Sequence, residues 1–234
     1  MFEGFDWQYL EPISRGALWT IALCLVSGSL GVVLGAILGL AGTSPIKVLR
    51  WLVTIYVTIV RGIPLLIVIF FIYFGLPLMF PGANIPGFLT GVIALTAYSA
   101  AYIAEIFRGS IDAVPKGQFE AADALGLGYA DKNRFVILPQ ALRIAVPPGI
   151  GFLINLVKES SLITVIGFIE LMRSGTIVSN LSGDPITSYL VVSVYYFVIC
   201  FGISRLGKLY EIRTGTAINP LKRTRAVKQL EKEA

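Results

Sequence analysis

The sequence predicts an all-α, polytopic integral membrane protein with about five transmembrane helices. Three observations carry that prediction. Of the 234 residues, 56% are hydrophobic and 14% are charged, against about 25% charged in an ordinary soluble domain. The charges are segregated: residues 205–234 hold eight Lys/Arg and three Glu, and the first 204 residues share the other 22. Three charge-free runs, 16–46, 62–104 and 185–204, are 31, 43 and 20 residues long, and one membrane helix needs about 20 apolar residues. This composition excludes disorder and argues against a water-soluble enzyme.

The elements follow in order. The first span is about 18–40, where Gly28, Gly31, Gly35 and Gly39 recur at a spacing that lets helix backbones approach closely in lipid. The second lies within 51–80. At about 1.5 Å per residue that stretch exceeds one crossing. Pro64 is expected to kink or start its main helix, with 51–60 as an oblique or interfacial lead-in and 65–80 as the crossing. The turn formers of 81–87 end it. The third span is about 88–107, the fourth lies within 142–171, and the fifth is about 187–206.

The fourth span contains Lys158-Glu159-Ser160-Ser161, and the apolar pieces on either side are each too short to cross alone. The positive-inside rule places this step within or at the end of one span. With five spans and the N-terminus outside, the cytoplasmic pieces 43–50, 108–134 and 205–234 carry two, four and eight Lys/Arg. The outside pieces 1–16, 81–87 and 172–186 carry one, none and one. Six crossings would push the basic tail outside. The expected organisation is an external segment 1–16, a membrane domain 17–207 with a cytoplasmic loop at about 109–139, and a basic cytoplasmic tail 208–234. The acidic N-terminus (Glu3, Asp6, Glu11) lacks the basic start of a signal peptide, so the first span is expected to remain.

Charged and polar groups inside spans are costly and mark candidate sites. Asn155 and Glu159 share one helical stripe, and Lys158 and Ser161 the next. With Ser160 they either line a substrate path near the midplane or hold interhelical salt bridges. Tyr98, Tyr102 and Glu105 share a face. Glu105 and Arg108 are spaced to pair at a span end. Arg61 either meets a substrate carboxylate, snorkels or pairs structurally. His is absent, which removes His triads, His metal sites and His proton relays. No metal site is expected.

The loop after the third span reads as a short surface helix. Pro115 suits its first turn, Gln118 to Leu125 are helix formers with Glu120 near the start, and Gly126 and Gly128 end it. Its motif is Glu120-Ala121-Ala122, three residues, Gly126, nine residues, then Val136-Ile137-Leu138-Pro139. This resembles the signature loop of ABC importer permeases, E-A-A-x3-G-x9-I-x-L-P, and departs from it only at Val136. Arg61-Gly62-Ile63-Pro64-Leu65-Leu66, the stretch from Ala101 to Gly109, Pro115-Lys116-Gly117-Gln118, Leu138-Pro139-Gln140-Ala141-Leu142-Arg143 and Lys158-Glu159-Ser160-Ser161-Leu162 are similar to the polar amino-acid branch, the histidine/glutamine/glutamate-type uptake permeases.

The resemblance spans roughly 15–210 and implies a type I permease fold. It implies a pair of permeases (homo- or heterodimer), a separate ABC ATPase dimer that binds ATP-Mg, and a periplasmic or extracellular amino-acid-binding protein. It also implies a bacterial inner-membrane location. Lys116, Gln118, Glu120, Ala121, Ala122, Leu125, Gly126 and Leu127 would form the ATPase-coupling helix. Glu120 would bring charge, Ala121 and Ala122 close approach, and Gly126 the turn that follows. The chain lacks the G-x-x-x-x-G-K-[ST] phosphate loop. It is therefore expected to be non-catalytic and to hold no cofactor, and because its basic residues sit beside a membrane span it is expected to bind no nucleic acid. A secondary carrier or channel for small polar solutes is the competing reading, but it leaves the Glu-Ala-Ala loop unexplained.

Overall fold

The computed structural model describes residues 6–82 and 84–214. Every regular element among them is helical. Helix α1 (Leu10–Gly42) follows a short turn at Trp7–Tyr9. Next come α2 (Lys47–Gly62) and α3 (Leu65–Met79). They are followed by α4 (Gly87–Asp112), α5 (Lys116–Ala124), α6 (Leu138–Glu159), α7 (Leu171–Ser182) and α8 (Pro185–Thr214). Four stretches are long and apolar enough to cross a membrane: Trp7–Gly42, Gly87–Asp112, Tyr129–Ile166 and Pro185–Arg213. The pair α2–α3, bent by 101°, makes a fifth if counted as one span. The expected count of five agrees with this.

The bend has a local cause. Proline disfavours helical backbone at the residue before it and lacks an N–H of its own. Ile63 is extended (φ −106°, ψ 134°), and Pro64 stands just before the first turn of α3. Helix α2 starts earlier than the expected lead-in, at Lys47, and is amphipathic: Val53 and Val57 are buried while Arg50, Thr54, Thr58 and Arg61 are exposed.

Helices α1 and α4 pack through the glycine stripe. A Cβ on Gly31 would stand 2.2 Å from Ser99 Cβ, on Gly35 2.6 Å from Ile103 Cβ, and on Gly39 2.9 Å from Phe107 Cβ. Gly28 has more room, with Leu156 at 3.4 Å. Three of the four expected glycines are therefore required for close approach. The main core gathers Leu23, Ile69, Leu95, Phe152, Leu156 and Ile163 from α1, α3, α4, α6 and the turn after α6. A second core joins α1, α7 and α8 through Ile13, Leu171, Val178 and Val192. Large apolar side chains such as Phe197, Val198 and Phe201 remain exposed along α8, as a lipid-facing surface requires.

The step at Lys158-Glu159-Ser160-Ser161 falls at the end of helix α6 and within the one membrane-length stretch Tyr129–Ile166, in line with the expectation of a single span. Helix α6 stops at Glu159, and a 3-10 segment, Ser160–Ile166, carries the chain to Gly167, whose φ of 81° turns it. The boundaries move in three other places. The expected external segment 1–16 is helical from Leu10, with Ile13 fully buried. The connecting piece 172–186 is largely helix α7. The expected tail 208–234 is helical to Thr214, and its remainder, 215–234, lies outside the described residues, as does the start of the acidic N-terminus with Glu3.

Glu170 explains why a polar twelve-residue segment folds as α7. Its side chain accepts from the backbone N–H of Met172 (2.8 Å) and of Arg173 (2.7 Å), which caps the helix. Tyr196 of α8 donates to it at 3.2 Å, and Thr20 of α1 lies within reach at 3.5 Å. The residue is fully buried, so those donors have no water to replace it. Glu170→Ala is expected to cost about 2–4 kcal/mol, because the half-buried Met172 and Arg173 N–H groups and the Tyr196 hydroxyl lose their acceptor. Glu170→Gln, which keeps one acceptor oxygen, should cost less. Thermal unfolding in mild detergent checks the order, and equal midpoints for wild type and Glu170→Ala would refute it. At the other end of α7, Asp184 accepts from the Thr187 hydroxyl and amide. Those bonds hold its carboxyl below the usual carboxylate range.

Candidate functional site

Two regions bring the sequence-predicted residues together. The first is α5. Pro115 occupies the position just before the helix (φ −54°, ψ 135°), one step earlier than a first-turn place. At the other end the Leu125 N–H donates to Ala121 and the Leu127 N–H to Ala122, both at 3.1 Å. Gly126 sits at φ +71°, the left-handed region that a helix-ending glycine supplies. Gly128 is extended and opens the next short turn rather than closing α5.

Helix α5 is tied to the spans at several points. Phe119 packs against a core of Phe107, Ile111, Val114 and Ile137. Gln140 at the start of α6 donates through Nε2 to Gln118 Oε1 at 3.0 Å and to the Val136 carbonyl at 2.8 Å. Lys132 Nζ donates to Asp123 Oδ1 at 2.6 Å. Phe119, Asp123, Lys132 and Gln140 were not among the predicted site residues. For Phe119 the available signal was an aromatic residue in an otherwise polar segment.

The predicted residues divide by face. Lys116, Gln118, Glu120, Ala121, Leu125 and Gly126 are exposed, and Leu127 is half-buried. Leu125 is 78% exposed, a large apolar side chain at the tip of a surface helix. Ala122 is 2% exposed and faces the chain's own core, so close approach from outside is open at Ala121 only.

The second region is a pair of neighbouring cavities that share Arg61, Gly62 and Tyr102 in their linings. The smaller, about 440 Å³, is lined by Arg61, Tyr98, Tyr102 and Glu159, together with the Gly62–Leu66 break and Leu162. The larger, about 690 Å³, lies between α1, α2 and α4 and is lined by Arg50, Thr54, Thr58, Arg61, Glu105 and Arg108 among others. The Tyr98 and Tyr102 rings are 4.5 Å apart, and Phe152 stacks on Tyr102 at 5.4 Å. Arg108 grips Glu105 through two nitrogens and reaches Asp112 at 3.2 Å. The pairing of Glu105 with Arg108 is thus formed. Arg61 approaches Glu105 at 3.7 Å and lies over the Tyr102 ring, 5.2 Å from its centroid.

The other candidates lie apart. Asn155, Lys158, Ser160 and Ser161 line neither of these two cavities. The Ser160 and Ser161 hydroxyls turn back to the Val157 and Lys158 carbonyls, each at 2.7 Å, and Ser160 is fully buried. Asn155 and Lys158 are exposed. Glu159 is therefore the member of this step that reaches the cavity.

Comparison with known proteins places this geometry. Residues 31–215 match the family described as binding-protein-dependent transport system inner membrane component. The probable amino-acid ABC transporter permease YckA of Bacillus subtilis is 36% identical over 210 residues, covering 86% of this chain and 92% of the relative. The arginine transport system permease ArtQ of the same organism is 35% identical, covering 85% and 90%. A crystal structure of an amino acid ABC transporter with histidines superposes with a TM-score of 0.83 at 36% identity, covering 88% of this chain and 95% of that one. The inward-facing MetNI methionine transporter shares the fold at a TM-score of 0.72 and 24% identity, covering 88% and 99%. The chain belongs to the family of inner-membrane components of binding-protein-dependent transport systems, as an ABC-transporter permease that crosses the bacterial inner membrane several times.

Proposed function

We propose that this chain is the permease subunit of an ATP-driven importer of a polar amino acid, coupled through α5 to a separate ATPase. The observation that carries the reading is the two-sided build of α5. One face is bolted to α4 and α6 through Phe119 and the Gln118–Gln140 bond. The other presents Glu120, Ala121 and Leu125 to a partner. A short helix fixed on one side and bare on the other acts as a lever: force applied to its bare face reaches the spans.

In this reading ATP-Mg is bound and hydrolysed by the ATPase, and the permease itself carries out no chemistry. Closure of an ATPase dimer moves α5, and the spans switch access between two states of different affinity for that dimer. An external binding protein delivers the substrate, and a second permease copy or a similar chain completes the path. The N-terminus faces outward and α5 inward, as the Lys/Arg distribution favours. The smaller cavity receives the substrate. Glu159 faces its ammonium, and the tyrosine pair supplies an apolar wall with polar tips.

The test is a pull-down of the tagged chain from its native membrane in mild detergent, followed by uptake in proteoliposomes. A stoichiometric ATPase and strictly ATP-dependent uptake are the expected results. A chain that emerges alone and moves solute without ATP would replace the importer with a secondary carrier or channel.

A further inference from the structure

Arg61 borders both cavities, as do Gly62 and Tyr102. A guanidinium carries five N–H donors, yet Arg61 makes no hydrogen bond among the described residues. Its contacts are the Glu105 carboxylate at 3.7 Å and the face of Tyr102. Glu105 does not depend on Arg61, because Arg108 already grips both of its oxygens. Arg61 is thus a positioned cation with unused donors. Glu159, in the same smaller cavity, forms no ion pair among the described residues. Two opposite charges therefore share one chamber without pairing to each other, a lining that suits a zwitterion. The volume lies in the range of about 300–1,000 Å³ usual for small-molecule sites.

We propose that Arg61 receives the α-carboxylate of the transported amino acid in the smaller cavity and hands it on toward the larger one, whose lining it shares. This rests on the amino-acid import proposed above. Bound carboxylate takes the place of Glu105 beside Arg61, at little cost to Glu105. Arg50 lines the larger cavity and offers the next cationic position, whereas Arg108 is already held by Glu105 and Asp112. Arg61 also sits in the last turn of α2, two residues before the 101° bend. A change in that bend moves its head group relative to α3 and supplies the step from one chamber to the next. Selectivity at this point is for a carboxylate, whatever the side chain.

The experiment uses the complex that co-purifies with the chain. Uptake of L-glutamine, L-arginine and L-cystine is measured first in proteoliposomes with the binding protein. Whichever is transported is then titrated, with its α-amide, against the detergent-purified complex without binding protein. Wild type should prefer acid over amide by about tenfold or more, the worth of one charge-assisted contact. Arg61→Gln should erase that preference by weakening acid binding while leaving the amide unchanged. Arg61→Lys should fall between, because it keeps the charge and loses the planar fork. Glu105→Gln should tighten the acid by a few fold, since it removes the carboxylate beside Arg61.

A purely structural Arg61–Glu105 pair gives a different result: Arg61→Gln and Glu105→Gln both weaken acid and amide alike. That outcome, or a wild-type preference retained in Arg61→Gln, overturns the inference while import stands. If Arg61→Gln does not fold, the decision passes to Glu105→Gln, where weaker acid binding overturns the proposal. If the wild-type complex shows no ATP-dependent uptake of these three or of any other polar amino acid, the functional reading fails and takes this inference with it.

Discussion

Gly35→Leu is expected to prevent α1 from docking on α4 and to abolish recovery of folded protein. The reason is geometric. An added Cβ would lie 2.6 Å from Ile103 Cβ and 2.9 Å from the Ala100 carbonyl oxygen. The second contact is backbone, so no rotamer change relieves it. Helix association in lipid draws on close packing rather than on exclusion of water, so separating the helices removes the main source of attraction. The cost should be at least about 3 kcal/mol, the upper part of the overpacking range. Monodisperse yield in mild detergent and resistance to proteolysis are the measurements. Gly202→Leu is the control: nothing lies within 4 Å of its Cβ position. It should fold at wild-type yield. Equal yields for Gly35→Leu and Gly202→Leu would refute the packing argument.

Glu120→Lys and Gly126→Asp should leave an inserted, folded permease whose substrate-stimulated ATPase activity is lost by tenfold or more. Glu120 is exposed and makes no ion pair among the described residues. Its reversal should therefore cost stability no more than about 0.5 kcal/mol, as at other surface sites. Any large loss then belongs to a partner contact. Gly126 has open space around it, so the penalty of substitution is conformational: φ +71° disfavours a side chain by about 1 kcal/mol. Asparagine enters that region more readily and adds no charge. Gly126→Asn should retain more coupling than Gly126→Asp. Wild-type stimulation in Glu120→Lys or in Gly126→Asp would remove α5 from the energy path.

The elements written in local chemistry are legible in the order of residues. Charge-free runs locate the spans, Pro64 locates the bend, and Pro115 and Gly126 bracket α5 to within a residue or two. Each depends on backbone preference or on avoidance of lipid by charge, and both act over a few residues. Helix α7 is not legible in that way. Its segment is polar and short, and its cap, Glu170, is effective because α1 and α8 bury it. The facing of α5 is half legible. The sequence puts Ala121 and Ala122 side by side, and packing alone decides that Ala122 turns inward.

The polar groups in the spans divide the same way. Residue spacing alone predicts the Glu105–Arg108 pair, because one helical turn sets the distance. It does not predict that Arg61, 44 positions away from Glu105, joins that pair, or that Glu159 shares a chamber with Arg61 while Asn155, on its own stripe, lines neither cavity. By itself the sequence determined which segments enter the membrane, where they break and which short helix stays on the surface, since hydropathy and backbone stereochemistry are local properties. The tertiary structure decided which intramembrane charges meet and where the chain leaves space. Those depend on how closely Gly31, Gly35 and Gly39 bring α1 to α4 and how sharply α2 turns into α3, and distances between remote residues follow from packing alone.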